Sequence, residues 1–162
     1  MKTGKTVKVL LALTTAAGML AGCGSKTDTD TFRFANDTDI VGMDSTVVDD
    51  AMSFNAITAI TDGLTTVDVK GNTIPGIAKS WDVSNNGLTY TFHLRDAKWS
   101  NGDDVTAQDF VYSWHRIIKN AGNYAYMLGS EGASIKNADS LIDLGTTATE
   151  EQLNTLGIKA TD

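Results

Sequence analysis

One stretch of the sequence, residues 98–116 (KWSNGDDVTAQDFVYSWHR), brings together side chains that carry out catalysis in many proteins. Ser113 and His115 are the residue types of a nucleophile and its general base. On a helix, however, residues two positions apart point in different directions and cannot share a hydrogen bond. The sequence also lacks the G-x-S-x-G elbow of many hydrolases, and it has only two histidines and one cysteine. We therefore predict that the protein is not an enzyme, against the competing hypothesis of a secreted hydrolase.

A group of acidic residues suggests a second kind of chemistry, the binding of calcium. Carboxylates are the hard oxygen ligands that this ion prefers. The group consists of Asp39, Asp44, Asp49 and Asp50. Its spacing does not match the D-x-[DN]-x-[DN]-G pattern of a calcium-binding loop. We expect no metal site here, and nothing in the sequence requires another cofactor.

The stretch 98–116 is better explained as scaffold. Its asparagine–glycine pair at 101–102 is typical of a turn. Residues 106–109 (TAQD) resemble a capping box, in which Thr106 begins a helix and Asp109 lies in its first turn. The apolar residues that follow share the spacing of one helix face: Phe110, Val111, Trp114, Ile117 and Ile118. We predict a helix that ends near Asn120 or Gly122 and turns this face to the core.

The remaining pattern predicts a domain of the α/β class. Apolar residues alternate over two further segments, which predicts strands, and Asn85-Asn86-Gly87 supplies the turn of a hairpin. The expected strands and hairpin cover residues 31–35, 64–69, 80–95 and the segment from 158 onwards. The helical spacing of Met52, Ala56, Ile57 and Ile60 predicts a helix over residues 50–61 with these residues on its buried face, and a second helix is expected over 149–157. His93 falls on the polar side of the hairpin, where we expect a surface role.

The first 22 residues have the layout of a secretory signal. A short basic segment, MKTGKTVK, precedes about a dozen apolar residues, which are too few to span a bilayer comfortably. The following LAGC, residues 20–23, resembles the bacterial lipobox, in which a lipid is attached to the cysteine. We predict a lipoprotein signal peptide over 1–22, lipid attachment at Cys23 and a flexible tether over 23–30. The alternatives are an ordinary signal peptide and a membrane-anchoring helix.

Composition narrows the possible partners. The formal net charge is −7, from 13 basic and 20 acidic residues. Without a cluster of Lys and Arg the chain cannot displace the counterions of a phosphate backbone, so we expect no nucleic-acid partner. A single cysteine cannot form an internal disulfide.

Several segments, in order, carry a family resemblance. They are IPGIAKSWDVSNNGLTYTFHLRDAKWSNGDDVTAQDFVYSWHR, NYAYM and LGIKATD, all behind the lipobox. Together they resemble the N-terminal part of the extracytoplasmic oligopeptide-binding proteins of ABC importers, the OppA-like group. The resemblance implies a periplasmic-binding-protein-like (type II) fold of two lobes, with a mixed sheet and flanking helices. Residues 31–162 would form an incomplete first lobe.

The resemblance also implies a ligand and partners. Members of the family close over an oligopeptide and deliver it to the permease subunits of an ABC transporter. Asp49, Asp50 and Ala51 match the stretch that runs alongside the bound peptide, and Tyr124 matches a tyrosine that lines the cleft. Location follows from the lipid on Cys23, which would hold the protein at the outer face of the bacterial cell membrane.

The length of the sequence departs from the family. Members run to several hundred residues, so we expect either a fragment of a longer frame or a truncated gene product. A cleft between two lobes cannot form from one partial lobe. The alternatives for function are a truncated surface lipoprotein without transport activity and a receptor for signalling peptides.

Overall fold

The computed structural model of the protein describes residue 35 and residues 37–161. The predicted signal peptide, Cys23, the tether and the first predicted strand lie outside the described residues, apart from residue 35. The helices are α1 (Ala51–Ile60), α2 (Ala107–Lys119), α3 (Ala138–Leu144) and α4 (Glu150–Leu153), with 3₁₀ turns at Ala125–Leu128 and Gly145–Thr147. The strands are β1 (Thr65–Val67), β2 (Thr73–Pro75), β3 (Ala78–Val83) and β4 (Tyr90–Leu94). Small sheets with flanking helices confirm the predicted α/β class.

The four strands form two antiparallel hairpins, β1–β2 and β3–β4. The second is the hairpin predicted from the alternating pattern, and Gly87 takes the positive φ of +72° that its turn requires. Trp81 lies opposite Phe92 and Val83 opposite Tyr90, so their side chains share one face. That face is only partly covered, since Val83 and Tyr90 remain 48% and 56% exposed.

Helix α1 begins where the sequence predicts and is covered on one side only. The Asp50 side chain caps it by accepting a hydrogen bond from the backbone N–H of Ser53 at 2.8 Å. Ser53 and Ile57 are buried. Ile60, expected on the buried face, is 72% exposed, because it is the last helical residue and the chain turns extended at Thr61.

Helix α2 begins at the predicted capping box. The Asp109 carboxylate accepts from the backbone N–H of Thr106 at 2.7 Å and from its hydroxyl at 3.1 Å. The indole N–H of Trp99 donates to the same carboxylate at 3.3 Å, which ties the preceding turn to the helix. The hydrogen bond from the Thr106 backbone N–H is the main cause that lowers the pKa of Asp109.

The hydrophobic core lies among α2, α3 and α4 and not between the hairpins. Its buried members are Ile118, Ala138, Leu141, Ala148, Leu153 and Leu156. Trp114 and Ile117 pack against this cluster, as the apolar stripe of α2 predicts. The short helix α4 confirms another prediction, with Thr149 and Gln152 forming its capping box.

The strand expected from residue 158 onwards does not form over 158–161. The backbone N–H of Ile158 bonds to the carbonyl of Leu156 at 2.7 Å in a tight turn, and the Ile158 side chain packs on the helical core. Because its N–H is bonded within the turn and its side chain is packed on the core, Ile158 does not pair with a strand.

Candidate functional site

The three predicted peptide-facing residues lie together at the start of α1. Asp49 and Ala51 are exposed, and Asp50 is half-buried. One carboxylate oxygen of Asp50 caps the helix, while its other oxygen, Oδ2, is buried and has no hydrogen-bond partner among the described residues. The hydrogen bond from the Ser53 N–H lowers the pKa of Asp50. This carboxylate is therefore an anion at neutral pH, with one oxygen bonded to the helix and the other buried beside it.

Tyr124 lies next to the same helix. Its ring packs edge-to-face on Phe54, with centroids 5.2 Å apart and planes at 83°. Phe54 is one helical turn beyond Asp50, whose carbonyl accepts from the Phe54 N–H at 3.2 Å. On its other side Tyr124 lies 6.3 Å from the ring of Tyr126, which is 46% exposed. The structure thus brings the two candidate segments, 73 positions apart at Ala51 and Tyr124, into one region.

The loop before α1 is tied to α2 and to the turn that follows it. Arg116 donates from Nη1 to Asp44 Oδ1 at 2.7 Å and from Nη2 to Asp44 Oδ2. Asn120 donates its side-chain N–H to the hydroxyl of Thr46 at 3.0 Å. Asn123 donates in the same way to the carbonyl of Val47 at 3.0 Å.

A glycine allows this close approach. Gly122 is buried, and a Cβ there would collide with the carbonyl oxygen of Thr46 and the side chain of Ile117. The loop that ends at Asp49 therefore sits directly on the backbone of the turn that leads to Tyr124.

Asp44, considered in the sequence only as part of an acidic group, is the centre of this contact. Besides Arg116 it accepts from the N–H and the hydroxyl of Thr46 at 3.0 and 2.8 Å. Its backbone carbonyl accepts from the N–H groups of Val47 and Val48, both at 3.1 Å. The hydrogen bond from Arg116 is the largest cause that holds the pKa of Asp44 well below its usual range.

The side chains that suggested catalysis are not arranged for it. Ser113 donates its hydroxyl to the carbonyl of Phe110 at 2.8 Å and shares no hydrogen bond with His115. His115 is half-buried, and burial lowers its pKa. His93 is exposed on the hairpin, where its Nε2 lies 2.7 Å from Asp82.

Two further observations concern residues 35 and 37–161. In this part of the chain no three His, Cys, Asp or Glu residues come close enough to hold a metal ion. Among the helices described there, none combines the length and the hydrophobicity that a bilayer crossing requires.

Sequence reasoning missed the residues that assemble this region. They are Phe54, Arg116, Asn120 and Asn123. Phe54 did not belong to the apolar stripe that predicted α1, and the partners of the other three lie more than 70 residues away in sequence. No local signal identifies such pairs.

Comparisons with known proteins define the class as extracytoplasmic solute-binding proteins. A family model described as "Bacterial extracellular solute-binding proteins, family 5 Middle" matches residues 72–161, more than half of the chain. The chain belongs to this family. This confirms the resemblance drawn from the sequence, including its OppA-like character.

Individual relatives agree. The chain is 40% identical to the dipeptide-binding protein of Lactococcus lactis subsp. cremoris, in an alignment that covers 99% of this chain and 28% of that protein. The structure is similar to that of Haemophilus influenzae OppA in complex with the peptide RPPGFSPFR, with a TM-score of 0.65, 36% identity, and coverage of 74% of this chain and 23% of that one. It is also similar to the pheromone receptor PrgZ, with a TM-score of 0.63 and 32% identity over 74% of this chain and 22% of that one. The chain thus spans about a quarter of the length of the relatives that it matches.

Proposed function

We propose that this chain is part of a solute-binding protein that captures oligopeptides outside the cytoplasm and delivers them to an ABC permease. The observation that carries the proposal is the packing of Tyr124 on Phe54 beside Asp49, Asp50 and Ala51, in a chain that belongs to family 5. The similarity to OppA with a bound peptide supports the same ligand class.

The proposed mode of binding uses the backbone. Asp49 ends the loop before α1 and Ala51 is the first residue of the helix, and both are exposed, so that their peptide groups can pair with the backbone of a ligand. Such pairing tolerates many peptide sequences, since it does not depend on the ligand's side chains. The half-buried ring of Tyr124 would form one wall beside them and add preference through its apolar face.

A chimera tests this function in a complete binding protein. Residues 37–161 would replace the aligned segment of the Lactococcus dipeptide-binding protein, and peptide affinity would be measured by calorimetry. We expect the folded chimera to bind peptides and Tyr124→Ala to weaken binding roughly fivefold, as loss of an aromatic contact worth about 1 kcal/mol would do. Tyr112→Ala, at an exposed position on α2, is the matched control. A chimera that folds and binds no peptide would contradict the proposal.

A second candidate is a receptor for signalling peptides. The similarity to the pheromone receptor PrgZ supports it. Selectivity separates the two functions, because a nutrient importer accepts mixed peptides whereas a receptor retains one sequence. Mass spectrometry of the peptides that the chimera retains from a random mixture would therefore distinguish them.

We further propose that a lipid on Cys23 anchors the protein to the outer face of the cell membrane. The support is the LAGC motif behind an apolar leader. Cys23→Ala is expected to release the protein from washed membranes, with Ser25→Ala as a neighbouring control. Unchanged membrane association of the Cys23 variant would rule out this anchor.

A further inference from the structure

Helix α2 has two faces that serve different parts of the molecule. At 3.6 residues per turn, Arg116 and the C-cap residue Asn120 lie on one side and Ile118 lies nearly opposite. Ile118 is fully buried in the core with α3 and α4. Within the described part of the chain, the side chains of Arg116 and Asn120 form their hydrogen bonds with the loop before α1, to Asp44 and Thr46. Contacts to the core and contacts to the loop are therefore made by separate side chains.

We infer that Asp44 and Arg116 are positioning residues, whose ion pair fixes the loop that ends at Asp49 against the turn that carries Tyr124. The role of that loop in holding a peptide rests on the proposed function. Neither residue needs to touch the ligand, because each acts through the backbone that it holds in place.

The geometry of the pair suits this role. The guanidinium donates from Nη1 to Oδ1 and from Nη2 to Oδ2, and such a two-point contact fixes orientation as well as distance. Asp44 also accepts two hydrogen bonds from Thr46, so the same carboxylate shapes the loop and attaches it. Asp44 lies only five residues before Asp49. The ion pair therefore fixes the loop close to the predicted peptide-facing residues.

The other ion pairs of the described residues do not bridge these segments. Lys98 and Asp104 join the two sides of one turn, and their side chains are 63% and 79% exposed. Arg116 and Asp44 are 35% and 36% exposed and lie 72 residues apart. Because solvent screens the pair of Arg116 and Asp44 less than that of Lys98 and Asp104, we expect its loss to have the larger structural effect.

Amide hydrogen exchange of the full chain, without peptide, tests the inference. Arg116→Met removes the donor and leaves the backbone bonds of the loop in place. We expect the amides of Val47 and Val48 to exchange roughly ten- to a hundredfold faster, the range that corresponds to losing one hydrogen bond to a charged group. The amides of Ile118 and Leu153 in the core are expected to keep their rates.

Two variants complete the design. Arg116→Lys keeps the charge and loses the two-point contact, so partial recovery of slow exchange is expected. Lys98→Met removes an exposed pair of similar length and is expected to leave Val47 and Val48 unchanged. The chemical shifts of the Tyr124 ring protons depend on the ring current of Phe54. We expect these shifts to change in Arg116→Met and to stay the same in Lys98→Met.

Two results would overturn the inference. In one, Val47 and Val48 exchange at the original rate in Arg116→Met. In the other, core amides accelerate as much as the loop, which would make the pair a general stabiliser. Failure of the chimera to bind peptide would count against the proposed function and would leave the exchange result standing, because no ligand is present in that experiment.

Discussion

The carboxylate of Asp44 and the guanidinium of Arg116 form a two-point ion pair between residues that are 72 positions apart in the sequence. Hydrogen bonds from Arg116 and Thr46 lower the pKa of Asp44 far below its ordinary value of 3.8. A carboxyl group of this kind stabilises the fold above its unfolded pKa, and the contribution is lost only as the pH falls through the lower, folded pKa.

We therefore expect the ion pair to persist when the pH is lowered from 7 to about 4, near the unfolded pKa of aspartate. The carbon-13 shift of the Asp44 carboxyl, followed by NMR during acid titration, measures this directly. In Arg116→Met the titration of Asp44 is expected to move up toward the ordinary value. An Asp44 that already titrates near its ordinary value in the unaltered protein would contradict the assignment.

The start of α2 offers a stability prediction. Asp109→Ala removes the acceptor for the backbone N–H of Thr106 and for the indole of Trp99. We expect the free energy of unfolding to fall by about 1 kcal/mol, the usual cost of losing a helix cap, as measured by urea denaturation. Asp104→Ala, which removes an exposed ion pair, is expected to cost less than about 0.5 kcal/mol. Equal effects of the two variants would argue against the cap.

The turn that follows the same helix contains a strained residue. Ala121 has a φ of +47°, in the left-handed region that favours glycine. Ala121→Gly relieves roughly 1 kcal/mol of steric cost but adds freedom to the unfolded chain, so a net gain of about 0.5 kcal/mol is expected. Ala56→Gly, in the interior of α1, is expected to lose about 1 kcal/mol. A loss of stability in Ala121→Gly, measured by urea denaturation, would show that the strain is absent.

His115 predicts a dependence of stability on pH. Burial lowers its pKa below the usual 6.5, although the charge of Glu150 acts in the opposite direction. Between the two pKa values the unfolded chain binds more protons than the folded one, so the stability conferred by the neutral ring decreases as the pH falls below about 6.5. Urea denaturation at pH 7.5 and 5.5 is expected to show this loss, and His115→Gln to reduce it. Identical pH dependence in the variant would exclude His115 as its source.

A binding prediction concerns residues 23–162 in isolation. The candidate contacts of this segment, at Asp49, Asp50, Ala51 and Tyr124, form one side of a site, whereas ligand clefts bury most of a ligand between facing surfaces. We expect no measurable heat when this piece is titrated with mixed oligopeptides. Micromolar binding would show that these residues suffice without a second surface.

The elements that depend on neighbouring residues could be predicted from the sequence. The turn at Gly87, the capping box at Thr106 and the apolar stripe through Ile118 each follow from local rules, and each forms as expected. The tertiary contacts that bury one face of an element could not be predicted from such local rules. Ile60 fits a helical apolar face and is exposed, and Ile158 fits a strand and packs in a turn.

The same distinction between local patterns and long-range contacts applies to the candidate site. Asp50 and Tyr124 came from a family resemblance, and whether they contact a peptide stays a prediction. Their proximity depends on Phe54 and on the pair of Asp44 with Arg116, and these contacts join residues that are 70 or more positions apart. Periodicity and capping rules describe neighbours within a few positions, so they carry no information about such contacts.

The two faces of α2 also bear on how this protein can change over evolution. Substitutions at Arg116 and Asn120 alter the contacts that position the loop before α1, whereas substitutions at Trp114 and Ile118 alter the core. Natural selection for a different ligand can therefore act on one set of positions while selection for folding acts on the other.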